Sequence, residues 1–231
     1  PDVKSSLDNA EAPVVTVAYI VKALELRRER GMKPFTVMSC DNMESNSDKL
    51  RHTVLAFAGA RDRKLRDWIA DNVPFLNTMV DRITPNPDPK LADYIADKYG
   101  IVDGWPLATE PFKQLAIETK HQRSDLQIPP FDIAGAMLVK DVAPTELAKL
   151  RLLNGAHMAL GVMGRLLGET HADTALRRPE IKAFVQMFMD EAEQTLRHDS
   201  GMDLKAYRKV LLDRMANPYI HDELTRLARN G

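Results

Sequence analysis

The stretch ELAKLRLLNGAHMALGVMGRLLG, residues 146–168, decides how this chain is read. It is apolar nearly all round apart from Arg151 and Arg165, the pattern of a helix packed on most of its sides. Into that surface are set Glu146, Lys149, Asn154 and His157. Glu146 and Lys149 are an i, i+3 pair, as are Asn154 and His157. An even α-helix, stepping about 100° per residue, places all four within an arc of roughly 140°, shared with Leu153 and Leu160. An ammonium on such a face is partly desolvated. Burial costs it several kcal/mol unless it is paired, and lowers its pKa toward the range where the amine accepts a proton. Spacing alone leaves two readings open: a catalytic group, or an intrahelical ion pair with a satisfied core asparagine and histidine.

Working outward, Pro144 marks the first turn of this helix, and Gly155, Gly161 and Gly164 mark places where a neighbouring helix or a ligand approaches closely. Toward the N-terminus, Pro13 opens an apolar helix that stops at Gly31, with RRER (27–30) in its last turn complementing the helix dipole. PFTVMSC (34–40) is β-branched and aromatic and reads as a strand, with Cys40 a small buried residue at its end and Asn42 just beyond its carboxyl end. Helices are expected over 49–58 and 63–71, then an extended run over 78–83 bearing Asp81, then a hinge or crossover between layers at Pro85, Pro87 and Pro89. A helix over 90–98 and a short strand over 136–139 precede the long helix. Pro179 opens another helix through about residue 197, with Ile181, Phe184, Val185 and Phe188 on one stripe, and two more helices follow over 203–215 and 218–229. The resulting class is α+β, mostly α-helical.

Three segments carry a resemblance: SCDN (39–42), NTMVDRITP (77–85) and KLRLLNGAH (149–157), supported by RRERGMKPFTVM (27–38), EPF (110–112) and NPYIHDELTR (217–226). Together they resemble the polyol-specific long-chain dehydrogenases, the family of mannitol 2-dehydrogenase, arabinitol dehydrogenase and the hexuronate reductases. That resemblance implies the remainder of a Rossmann-like α/β nucleotide-binding domain over 1–110. A helical catalytic domain over 111–231, of the kind seen in 6-phosphogluconate dehydrogenase, would follow. It implies metal-independent hydride transfer between a sugar alcohol and NAD or NADP, foremost between mannitol and fructose. By the same resemblance Lys149 is the general base, Asn42 and Asn154 polarise the reacting oxygen, and Asp81, His157 and Arg226 bind the substrate's other hydroxyls. Glu146 pairs with the lysine from behind. Two positions depart from the family's pattern: Ser47 replaces a glycine and is expected to alter the turn beyond Asn42, and Leu76 replaces a proline.

Composition bounds the partners. With 32 basic and 33 acidic residues, the formal net charge of −1 gives no electrostatic footprint for nucleic acid or an anionic membrane. The six histidines show no HExxH or His-x-His spacing and Cys40 is the single cysteine, so no metal site is read. One thiol, no signal peptide and no apolar run approaching about 18 residues indicate a cytoplasmic protein, with a monomer favoured. The eleven glycines never occur as GxG, so no pyrophosphate-binding turn is expected. On the resemblance, the chain is expected to be an internal portion of a family member. The competing reading is a non-catalytic helical interaction module that keeps the family scaffold.

Overall fold

The computed structural model describes residues 2–9, 12–126, 128–196 and 203–229. In chain order the elements are α1 (Asp2–Asp8), α2 (Thr16–Glu29), β1 (Val37–Met38), α3 (Asn46–Arg61), α4 (Arg63–Asn72), β2 (Phe75–Leu76) and β3 (Thr78–Asp81). Then come α5 (Leu91–Tyr99), β4 (Gln114–Glu118), β5 (Met137–Val139) and α6 (Ala143–Ala148), followed without a break by a π-helical segment (Lys149–Asn154) and α7 (Gly155–Leu166). The chain closes with α8 (Ala172–Leu176), α9 (Pro179–Glu193), α10 (Leu204–Met215) and α11 (Leu224–Leu227). Two compact units result: residues 1–80 with 114–143, and residues 81–113 with 144–231. The sequence reading has one crossing near residue 110; here β4 and β5 align in one sheet with β3 and carry 114–143 back to the first unit.

In the first unit β1 runs parallel to β2 in the register Val37 to Phe75, and β4 parallel to β5 in the register Ala116 to Met137. Val21, Leu24, Val54, Leu65 and Ile69 of α2, α3 and α4 close the main core with Val37 and Phe75. The strand expected over 34–40 survives only as Val37–Met38. Side chains take the backbone groups that would extend it: Ser39 N donates to Ser47 Oγ at 2.8 Å, and Thr78 Oγ1 donates to Ser39 O at 2.6 Å. Cys40 therefore lies beyond the sheet and is exposed, not buried as expected. The helix placed at Pro13 starts at Thr16, because Val15 is extended and Val14 N is tied to Ser6 Oγ at 3.0 Å. It leaves through Gly31 at φ 64, a left-handed turn that glycine adopts without strain.

In the second unit the π-helical segment and one face of α7 are packed, while Met158, Val162 and Leu166 of α7 are exposed, so this helix is less enclosed than its apolar sequence implies. Leu152, Leu153, Ala156 and Leu160 pack with Ile181, Val185 and Met189 of α9, Leu211 of α10 and Leu224 of α11. All three glycines of the long helix meet a neighbour as expected. An added Cβ would lie 2.9 Å from the Phe188 ring at Gly155, 2.6 Å from Ala228 N at Gly161 and 2.5 Å from Leu224 Cδ1 at Gly164. The helix expected over 218–229 is only Leu224–Leu227. His221 takes φ 48, and Ala172 N to Asp222 O and Leu224 N to Thr170 O, both 2.9 Å, spend this stretch's backbone groups on a neighbouring segment. The expected end of the helix from Pro179, near Arg197, lies outside the described residues, as does His198.

Candidate active site

Lys149 is 5% exposed and Glu146 6% exposed, one turn apart at the end of α6 and the start of the π-helical segment. There the even α-helix of the sequence reading fails. Gly155 N donates to Leu150 O, five residues back, so the turn that carries Lys149 and Asn154 is wider than about 3.6 residues. Steric room for this comes from Gly155, whose missing side chain leaves space for Phe188. Asn154 is half-buried where this segment ends, and His157 follows on α7.

Facing Lys149 is a buried charge cluster. Asp81, the last residue of β3, is held by two donors of Arg214 from α10: Nη1 to Oδ2 at 2.8 Å and Nη2 to Oδ1 at 2.7 Å. The same guanidinium binds Glu110 through Nε at 2.9 Å and Nη2 at 2.7 Å, and lies 3.9 Å from the centre of the Phe112 ring. Tyr207 Oη, on the same face of α10, donates to Asp81 Oδ2 at 3.4 Å. A carboxylate offers about four lone-pair sites, so Asp81 retains acceptor capacity after these three bonds.

The electrostatics follow from this packing. Burial pushes the Lys149 ammonium below its ordinary value; Asp81 and Glu146 oppose that, and Arg214 adds to it. His157 is pushed down to about 3 by burial first and then by the charges of Arg226, Arg214 and Lys149, so it is neutral at physiological pH. Burial alone would lower Arg214, but its hydrogen bonds to Asp81 and Glu110 outweigh that and hold it raised. Burial and then the Asp81 charge push the Tyr207 phenol up. Arg226, on α11, pairs with Asp222, one turn back, through Nε at 2.7 Å and through Nη2.

Six of the seven residues singled out in the sequence therefore lie in the second unit: Asp81, Glu146, Lys149, Asn154, His157 and Arg226. Asn42 belongs to the first unit, exposed in the bend after β1. That bend is pinned by its own motifs: Asn46 Nδ2 donates to Asp41 O and Thr78 O, both at 3.0 Å, and Ser47 N donates to Asn77 Oδ1 at 3.0 Å. Ser47 lies in the first turn of α3, and its hydroxyl accepts the Ser39 N–H. Sequence reasoning missed Arg214, Glu110 and Tyr207. The signal was an arginine in the buried row of α10 formed by Leu204, Tyr207, Leu211 and Met215. Among the described residues no group of three or more His, Cys, Asp or Glu could hold a metal. No described helix is long and apolar enough to cross a membrane.

The structure thus has an α/β unit with parallel strands and a helical unit in which a buried lysine faces carboxylates. Residues 6–129 match the mannitol dehydrogenase Rossmann domain and residues 141–231 the mannitol dehydrogenase C-terminal domain, and the chain belongs to the mannitol dehydrogenase family. It is 42% identical over 237 residues to a mannitol 2-dehydrogenase of Aspergillus fumigatus and 43% identical over 232 residues to the D-mannonate oxidoreductase of Escherichia coli. Each match covers 100% of this chain and 47% of the relative, so the chain spans about half the length of the curated relatives it matches. Among solved structures, the Pseudomonas fluorescens mannitol 2-dehydrogenase in ternary complex with NAD and D-mannitol fits with a TM-score of 0.84 at 36% identity. That fit covers 98% of this chain and 46% of the other. A D-sorbitol dehydrogenase in substrate-free form fits with a TM-score of 0.88, also at 36% identity and over the same shares. The expected fold class, an α/β Rossmann part followed by a helical C-terminal part, stands.

Proposed function

We propose that this chain carries the substrate side of an NAD(P)-dependent polyol dehydrogenase, with mannitol and fructose as the foremost pair. The observation that carries the reading is Lys149, an amine buried among carboxylates with its proton affinity lowered by burial. Oxidising a secondary alcohol breaks an O–H and a C–H bond as a carbonyl forms. The hydroxyl proton passes to the neutral Lys149 amine, and Glu146, one turn away, exchanges it onward. Nicotinamide supplies the hydride acceptor when bound. Among the described residues no strand-to-helix turn carries closely spaced glycines, so no contact to the dinucleotide is assigned to this chain.

The amides of Asn42 and Asn154 serve as donors to the developing alkoxide charge. A neutral His157 both donates and accepts, which suits it to a sugar hydroxyl, whereas an imidazolium could only donate. Asp81 and Arg226, each held by an ion pair, offer their remaining hydrogen-bonding sites to further hydroxyls. The support from relatives is the NAD and D-mannitol complex of the Pseudomonas fluorescens enzyme. Identity of 43% to a D-mannonate oxidoreductase favours a hexonate as a second reading of the substrate. We take the protein to act in the cytoplasm as a monomer, without nucleic acid or membrane partners.

The test is a chimera in which this chain replaces the matching 46% of the Pseudomonas fluorescens enzyme, assayed by nicotinamide absorbance on mannitol, sorbitol, arabinitol and mannonate. Oxidation of mannitol above the others is expected. Preference for mannonate selects the second reading, and a folded but inactive chimera selects a non-catalytic module.

A further inference from the structure

The proposed reaction uses Asp81, Glu146 and Lys149, and the group that holds Asp81 is Arg214, which takes no part in the proton transfer itself. Its donors are nearly all committed, two to Asp81 and two to Glu110. Glu110 is itself tied back to the strand end. Its Oε1 accepts from Ile83 N at 2.5 Å, its backbone N–H donates to Ile83 O at 3.2 Å, and its carbonyl accepts from Arg82 Nε at 3.0 Å. The result is a closed ring from Asp81 through Ile83, Glu110 and Arg214 back to Asp81, with Phe112 stacked on the guanidinium. With Arg214 and Asp81 only 6% and 2% exposed at the side chain, solvent screens this ring little.

We propose that Arg214 is a positioning residue of this site: clamped by Glu110 and Phe112, it fixes the Asp81 carboxylate in one orientation and sets the charge that Lys149 meets. This rests on the reading of Lys149 as the proton acceptor. The charged and titratable groups facing Lys149 are Glu146 from its own helix, Asp81 from β3, Arg214 from α10 and His157 from α7. Asp81 and Glu110 together bring two negative charges and Arg214 one positive charge. With the arginine gone, the pair carries its full charge beside the lysine, which then holds its proton more tightly and becomes a poorer base at neutral pH. An arginine suits the task where a lysine does not, because its planar fork can grip two carboxylates at once.

The test is an NMR titration of the Lys149 side chain, by its ε-methylene signals, in the full 231-residue chain. Arg214→Met is expected to raise the Lys149 midpoint by about one pH unit or more, about tenfold in proton affinity, with Arg214→Lys restoring at least part of it. Removing an arginine from two buried carboxylates is strongly destabilising, so Asp81→Asn provides the second arm. It removes the facing negative charge and is expected to move the midpoint the other way, downward. If Arg214→Met does not fold, Arg214→Lys decides: a midpoint raised above the native one supports the proposal, because a lysine cannot grip both carboxylates, and a native midpoint overturns it. An unchanged midpoint in the folded variants overturns the proposal. The titration needs no turnover, so it can fail while loss of Lys149 still abolishes oxidation, and the converse is equally readable.

Discussion

His157 and Lys149 show how far one residue's chemistry is set by its neighbours. The His157 imidazole is held down to about 3, below its ordinary value of 6.5, so the folded chain binds fewer protons than the unfolded chain between those values. Its contribution to stability is therefore complete above about pH 6.5 and is lost as pH falls toward 3. Urea midpoints measured from pH 7.5 to 4.5 should fall more steeply for the native chain than for His157→Gln, which has no imidazole to protonate. Parallel pH dependence in the two would mean that His157 titrates normally. The burial of Lys149 agrees with the sequence reading, although the enclosure inferred from an apolar surface does not hold all round, since Met158, Val162 and Leu166 of the same helix are exposed. Arg214 was not legible in the sequence. Its partners lie 104 and 133 positions away, beyond the reach of any helical spacing rule, and an arginine near a helix end ordinarily reads as a solvated dipole partner.

At the scale of elements, the glycines of α7 and the π-helical segment set how closely helices pack. Gly161 faces the backbone of Ala228, which cannot yield, whereas Gly164 faces the end of the Leu224 side chain, a softer neighbour, with Ala175 Cβ also at 3.2 Å. Gly161→Ala should accordingly destabilise by about 1–3 kcal/mol net of its better helix propensity. Gly164→Ala should be closer to neutral, and denaturant midpoints would reverse that order if the approach at residue 161 were loose. On the sheet side, Ser47→Gly leaves the buried Ser39 N–H without its acceptor. A loss of about 1–3 kcal/mol is expected by the same measurement, and an unchanged midpoint would show that the hydroxyl is dispensable. Helix positions were legible because apolar periodicity and proline starts are local; the helix expected over 203–215 is Leu204–Met215, with Asp203 as its cap. What the pattern could not show was backbone satisfied from far away. The strand after Pro34 ends early because Ser47 and Thr78 take its bonds, the last helix shortens because residues 170–172 take its bonds, and the π turn depends on Phe188 fitting over Gly155.

At the scale of the whole chain, the order of an α/β part and a helical part was legible from motif order, whereas the return of residues 114–143 to the first unit was not, since β4 and β5 are short and their pairing is non-local. Family membership rests on both halves, while the proposed activity rests on Lys149 accepting the substrate's proton. The most direct measurement is turnover of mannitol with NAD by the chimera with the Pseudomonas fluorescens enzyme, with Lys149 intact and as Lys149→Ala, at saturating cofactor across pH. The account predicts that turnover falls by about 10² to 10⁴ or more on losing the lysine, with a much smaller change in cofactor affinity and loss of the pH dependence that the amine imposes. Near-normal turnover by Lys149→Ala, with the same pH profile, would contradict it.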